Sequence, residues 1–254
     1  MDLEVSGPVA VLFMRNGRAN AIGAGFLSAL SARLDALERS SARSLVLTGE
    51  GLAFSAGLDL PEVSALARPA LAQFIRRFSE VMLRIFTLPL PVVAAVNGHA
   101  IAGGCVLALQ ADVRMAAAAE LGIGLNEVAL GLGLPALVVE TLRAQVPAGS
   151  LHAIALEGRL FLPEEARAVG LVDAVVPADR LLVEARTRAE ALAALPGPAF
   201  RQVKKALRGP AVAAIRAAKK EDARRWVETA YSPEARARLS AALERLSRRH
   251  PPAG

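Results

Sequence analysis

From Ile85 to Ala111 the chain carries no Asp, Glu, Lys or Arg. A run of that length is long enough to suggest a membrane span. Pro89, Pro91, Asn97, Gly98, His99, Gly103 and Gly104 interrupt it, and a lipid-exposed backbone has to satisfy its own hydrogen bonds within one continuous helix. The stretch therefore reads as a buried strand, a glycine turn and a buried helix. Such a segment needs apolar partners on several sides. The 254 residues, 54% hydrophobic and 21% charged, are enough to supply them and exclude a disordered chain.

The rest of the N-terminal part alternates in the same way. Pro8 to Met14, Ser44 to Thr48, Pro91 to Val96 and Asp112 to Met115 are short apolar runs expected as strands. Phe26, Leu27, Leu30, Leu34 and Leu37 recur at helical spacing between charged residues, and Leu71 to Phe86 and Gly103 to Gln110 are also helical in pattern. Near-continuous apolar strands alternating with helices predict an α/β core covered on both faces. Beyond about Pro196 the strand signals end. Three helices are expected, Pro198–Arg208, Ala211–Ala230 and Pro233–Arg248, each with proline near its start. This divides the chain into an α/β core over residues 1–195 and a helical region over 196–254. Apolar stripes in the last helices, including Val212, Ile215, Trp226 and Leu239, are expected to be buried between subunits of a homo-oligomer.

Net charge is +6 and aromatic residues are 4%. The charge admits an anionic partner, but so few aromatics make a poor base-stacking surface, so a phosphorylated small molecule is the simpler partner. Cys105, the single cysteine, excludes an intramolecular disulfide and fits a reducing compartment. His99, His152 and His250 form no cluster with metal-ligand spacing. Asp2 and Glu4 near the start, and the Pro-Pro-Ala-Gly ending, match no export or retention signal. A cytoplasmic protein without metal, membrane or nucleic-acid partner is expected.

Two glycine-containing segments follow apolar strands: Phe54-Ser55-Ala56-Gly57-Leu58-Asp59-Leu60 and Asn97-Gly98-His99-Ala100-Ile101-Ala102-Gly103-Gly104-Cys105. Small residues at a strand-to-helix transition leave backbone N–H groups free to face an anion, or they simply make a turn. Glu127 is the only charged residue between Leu121 and Val139. Burial would raise its pKa towards neutrality and suit it to act as a base; a carboxylate satisfied by N–H groups at a helix start is the other reading. Cys105 lies in an apolar run and reads as a structural thiol or as a nucleophile. Asp59 is placed to cap a helix.

These two segments, together with Ile123-Gly124-Leu125-Asn126-Glu127, resemble the signature of the crotonase (enoyl-CoA hydratase/isomerase) family in order and spacing. The likeness runs from about Val9 through Gly170-Leu171-Val172-Asp173 to the C-terminal helices. It implies a spiral of ββα turns with a helical C-terminal part, assembled as a homo-trimer or hexamer. It also implies an acyl-CoA thioester as substrate, with coenzyme A arriving on the substrate and no other cofactor. The implied oxyanion hole is the N–H groups of Leu58 and Gly103. Glu127 is the implied catalytic residue, and Ser55, Ala56, Gly57, Asp59, Leu60, Val106 and Asn126 are implied to bind substrate, with the adenine near Ala56.

One position departs from the hydratases of the family. They carry glutamates at the positions of both Val106 and Glu127, and the pair handles a water. With Val106 apolar, the resemblance is nearest to the Δ3,Δ2-enoyl-CoA isomerases of fatty-acid oxidation, which share the single glutamate, the Ala-Gly-Gly-Cys run and the Ile-Gly-Leu-Asn-Glu run. The alternatives are another crotonase-type reaction, namely hydration, decarboxylation or thioester hydrolysis. Family members that bind RNA do so through a lysine-rich helix, whereas Phe26–Arg39 contains no lysine. A scaffold without activity is set against the joint presence of Glu127 and both glycine segments.

Overall fold

The computed structural model describes residues 1–249, apart from the side chains of residues 219, 220, 247 and 249. The lysines at 219 and 220, His250 and the Pro-Pro-Ala-Gly ending thus lie outside the described side chains. The chain opens with β1 (Asp2–Ser6), β2 (Val9–Met14) and α1 (Ala24–Glu38), then β3 (Ser44–Gly49), β4 (Ala53–Ser55), α2 (Leu60–Ala65) and α3 (Arg68–Phe86). The middle part is β5 (Val92–Val96), β6 (His99–Ile101), α4 (Gly103–Leu109), β7 (Val113–Ala118), β8 (Ile123–Gly124) and α5 (Ala136–Gln145). It ends with α6 (Leu151–Ala155), α7 (Pro163–Ala168), β9 (Ala174–Pro177), α8 (Leu181–Ala193), α9 (Gly197–Ala230) and α10 (Pro233–Arg249).

Two sheets result, one of six strands in the order β1-β2-β3-β5-β7-β9 and one of three in the order β4-β6-β8. From β2 onward every pairing is parallel, while β1 and β2 form an antiparallel hairpin edge. Successive pairs β3–β4, β5–β6 and β7–β8 each give one strand to the large sheet and the next to the small one. Helical segments follow each pair, so the path is the expected spiral of ββα turns. The strands β3 and β5 are buried at every residue, Leu45, Val46 and Leu47 in one and Val92 to Val96 in the other. Burial on both faces explains why their sequences are continuous rather than alternating. No helix among the described residues is long and apolar enough to cross a membrane.

The small sheet was not visible in the sequence pattern. Its strands are two or three residues long, too short to display an alternation. They run through the glycine segments and bring those segments together. A Cβ on Gly104 would lie 2.0 Å from the Ser55 carbonyl oxygen, and one on Gly57 would lie 2.8 Å from the Ile101 carbonyl oxygen. Both contacts are closer than a side-chain carbon tolerates. Gly104→Ala is therefore expected to destabilise the fold by about 2 kcal/mol or more. Denaturant unfolding measures the loss directly, and a midpoint unchanged from wild type would show that the close approach does not matter.

The C-terminal region departs from expectation in two respects. The helices predicted over Pro198–Arg208 and Ala211–Ala230 are one helix, α9, with Pro210 inside it. Proline deprives the Ala206 carbonyl of its usual N–H partner and favours a break, but packing along this helix keeps it continuous. α9 lies against α3 and α5 of the same chain; Ile215 and Trp226 on it, and Leu239 on α10, are already buried, while Val212 is half-buried. The three buried residues therefore need no second subunit to cover them.

A buried charge cluster also ties α9 to the core. Asp112 takes Lys204 on one carboxylate oxygen at 2.7 Å and Arg208 on the other at 2.8 Å. Arg208 also donates to the carbonyls of Phe86, Gln110 and Ala111 at the ends of α3 and α4, where a cation meets the negative ends of two helix dipoles. Burial brings the Lys204 ammonium down to about 8, against the pull of Asp112. Asp112→Ala leaves two buried cations without their counter-ion, and about 3–5 kcal/mol of stability should be lost. A thermal or denaturant midpoint close to wild type would show that the carbonyls alone suffice.

Candidate active site

A cavity of about 110 Å³ opens where the two glycine segments meet. Its wall includes Ala56, Leu58 and Leu60 from the first segment, and Ile101, Ala102, Gly103 and Val106 from the second. Asn126 and Glu127 complete the polar part, and the remainder is apolar, including Ile75 and Phe78 of α3, Val138 of α5 and Trp226 of α9. Glu127 is the sole ionisable side chain in this wall.

Glu127 follows β8 and leads into a 3-10 turn over Val128–Leu130. Its backbone carbonyl accepts from the N–H groups of Leu130 and Leu132, both at 2.9 Å, which fixes the turn. The side chain does not cap it, so the helix-start reading of this carboxylate does not hold. Glu127 is buried and its Oε2 has no hydrogen-bond partner. Burial raises the carboxyl to about 7, opposed only by its own backbone N–H. Asn126 Oδ1 is also buried and unpartnered. An ionised carboxylate here lacks the solvent or donors that normally stabilise it, so it holds a proton more tightly than a surface glutamate.

The backbone around the cavity is equally specific. Ile22 donates to the Gly57 carbonyl at 2.8 Å and accepts from the Asp59 N–H at 3.0 Å. This parallel bridge uses the groups flanking Leu58, so the Leu58 N–H faces the other way. Gly103 begins α4, where the N–H has no intrahelical acceptor. Neither amide has a hydrogen-bond partner among the described residues. A Cβ added to Gly103 would lie 3.4 Å from Gly57 Cα, so the two segments are in contact. Ala102, between β6 and α4, has φ +50°, a left-handed conformation that costs a non-glycine residue about 1–3 kcal/mol. Its N–H donates to the Gly124 carbonyl and its carbonyl accepts from Val106, both at 2.9 Å. That strain sets the direction in which the Gly103 N–H faces.

Of the residues singled out in the sequence, Ala56, Leu58, Leu60, Gly103, Val106, Asn126 and Glu127 meet in this wall. Ser55, Gly57 and Asp59 do not line it. The Ser55 hydroxyl donates to the Asn20 carbonyl at 2.8 Å, Gly57 makes the close crossing, and Asp59 caps α2 by accepting from the Glu62 N–H at 3.1 Å. Cys105 is buried, and burial together with the nearby Glu127 pushes its thiol far up, which removes it as a nucleophile. The described residues contain no group of three or more His, Cys, Asp or Glu positioned for a metal. Ile75, Phe78, Val138 and Trp226 were missed as site residues. Each sits on the apolar stripe of a helix far away in sequence, and a stripe alone does not distinguish a pocket wall from a core.

Known proteins are similar to this chain over most of its length. The family model for enoyl-CoA hydratase/isomerase matches residues 4–250. The mouse mitochondrial enoyl-CoA delta isomerase 1 is 36% identical over 216 residues, covering 81% of this chain and 73% of the relative. A putative enoyl-CoA hydratase of Thermus thermophilus is also 36% identical, over 206 residues, 79% of this chain and 81% of the relative. Among solved structures, human mitochondrial delta3-delta2-enoyl-CoA isomerase superposes with a TM-score of 0.93 at 31% identity, covering 98% of each chain.

Proposed function

The chain belongs to the enoyl-CoA hydratase/isomerase family, and from that premise we propose that it moves the double bond of a 3-enoyl-CoA to give trans-2-enoyl-CoA. The observation that carries this reading is the solitary Glu127 in a cavity where Val106 is apolar. Ionised Glu127 removes a C2 proton. The electron pair delocalises through C1 onto the thioester oxygen and through C3 onto C4, and the N–H groups of Leu58 and Gly103 receive the charged oxygen. The protonated carboxyl then returns its proton to C4, leaving the double bond between C2 and C3. A base held near pH 7 suits both steps, because it takes a proton and also gives it back. Each oxyanion donor is worth about 3–4 kcal/mol of barrier in comparable sites.

Coenzyme A enters with the substrate, and the proton transfer asks nothing else of the chain than one carboxyl and two amides. The buried, unpaired Cys105 fits a reducing compartment. The exposed large hydrophobic residues Val128, Leu156, Leu160 and Leu162 support self-association as a trimer or paired trimers, which light scattering at micromolar concentration measures. Incubation with trans-3-hexenoyl-CoA tests the reaction. The expected product is trans-2-hexenoyl-CoA, seen as the conjugated enoyl-thioester absorbance, and no rise above the buffer rate would refute the reading.

A further inference from the structure

The catalytic cavity is small for a long acyl chain. At about 110 Å³ it is below the roughly 150 Å³ of an engineered apolar cavity that takes one benzene molecule. A second cavity of about 130 Å³ lies between the same three helices. Its apolar wall is Ile75 and Leu83 of α3, Leu137 of α5, and Ile215 and Ala223 of α9. Leu137 is next in sequence to Val138, and Ala223 is one helical turn from Trp226, both of which line the first cavity. Ile75, itself buried, is the one residue common to both walls. The charged residues around the second cavity balance, Arg76 and Arg216 against Glu80 and Asp222, so nothing there selects an ion. Its interior suits neutral hydrocarbon.

We propose that Ile75 is the partition that sets acyl-chain length at this site, and that the cavity behind it takes the tail of chains longer than about six carbons. The proposal rests on the acyl-thioester reading above. In this arrangement the reacting carbons fill the first cavity and Ile75 meets the end of a short chain. Shortening Ile75 joins the two cavities, and enlarging Ala223 fills the second without touching the first.

The test is the ratio of kcat/KM for trans-3-dodecenoyl-CoA to that for trans-3-hexenoyl-CoA in wild type, Ile75→Val, Ile75→Ala and Ala223→Leu. Since a single methylene in an apolar pocket changes discrimination by about tenfold or more, the ratio should rise about tenfold in Ile75→Ala and less in Ile75→Val. It should fall about tenfold in Ala223→Leu. If Ile75→Ala does not fold, Ile75→Val and Ala223→Leu carry the comparison. A ratio that stays within about twofold of wild type in every folded variant overturns the partition while leaving isomerisation in place. Calorimetric binding of hexanoyl-CoA and dodecanoyl-CoA separates the remaining cases. No turnover with the predicted length dependence of binding keeps the partition and discards the isomerase, and no binding of either thioester overturns both.

Discussion

Glu127→Gln is expected to abolish turnover, lowering kcat by about 10²–10⁴-fold, while acyl-CoA binding largely survives. Gln keeps the shape of the side chain but cannot accept a proton at neutral pH. Retention of a tenth of the activity would correspond to a barrier change of only about 1.4 kcal/mol, too little for removal of the sole base. In the wild type, kcat/KM should rise with pH through about 7, where Glu127 ionises, and level off above it. A flat profile across that range, or a Gln variant above the tenth, assigns the proton transfer to another group.

The same residue gives a stability signature that does not depend on the substrate. Glu127 is raised from 4.5 to about 7 in the fold, so between these values the native protein binds the proton that the unfolded chain has released. The contribution of Glu127 to stability must then fall as pH rises from about 4.5 to about 7, and change no further above, by roughly 3 kcal/mol in all. Glu127→Gln removes this dependence. Its stability relative to wild type should improve by about that amount between pH 4.5 and 8, as expected where function requires a destabilised site. Parallel denaturant curves for the two proteins at several pH values check it. A constant difference between them would mean that Glu127 is not desolvated.

How much of this was legible depends on the kind of residue. The strands β2, β3 and β5 were readable because burial on both faces leaves uninterrupted apolar runs. Glu127 stood out because a lone carboxylate among apolar residues needs a reason. Gly57, Gly103 and Gly104 marked where two segments approach, although not that they approach each other. The small sheet stayed hidden because strands of two or three residues carry no period. Pro210 suggested a boundary, yet contacts with α3 and α5 outweigh the local cost and α9 runs through it. Ala102 gives no sign of its left-handed conformation, since alanine fits most backbones and the strain comes from the β6–α4 junction. Ile75, Phe78 and Trp226 become wall residues only when three distant helices meet.

The second large effect separates isomerisation from hydration. Adding water across the C2–C3 bond needs one group to take a proton from the water and one to protonate C2. Hydratases of the family use two glutamates, whereas this cavity offers one, with Val106 buried at the other position. A 1,3-shift needs a single base, because C2 and C4 expose the same face of the planar dienolate and one carboxyl over that face can serve both. Hydration should therefore be slower than isomerisation by roughly two to four orders of magnitude, the usual range for loss of one acid–base group. Val106→Glu would add the missing group and should raise hydration somewhat, at a cost in stability from burying a second carboxylate. The most direct measurement puts the wild-type enzyme on both substrates at equal concentration, following the conjugated enoyl-thioester absorbance. It should appear rapidly with trans-3-hexenoyl-CoA and persist with trans-2-hexenoyl-CoA; loss of the trans-2 signal as fast as the trans-3 signal appears would contradict the single-carboxylate account.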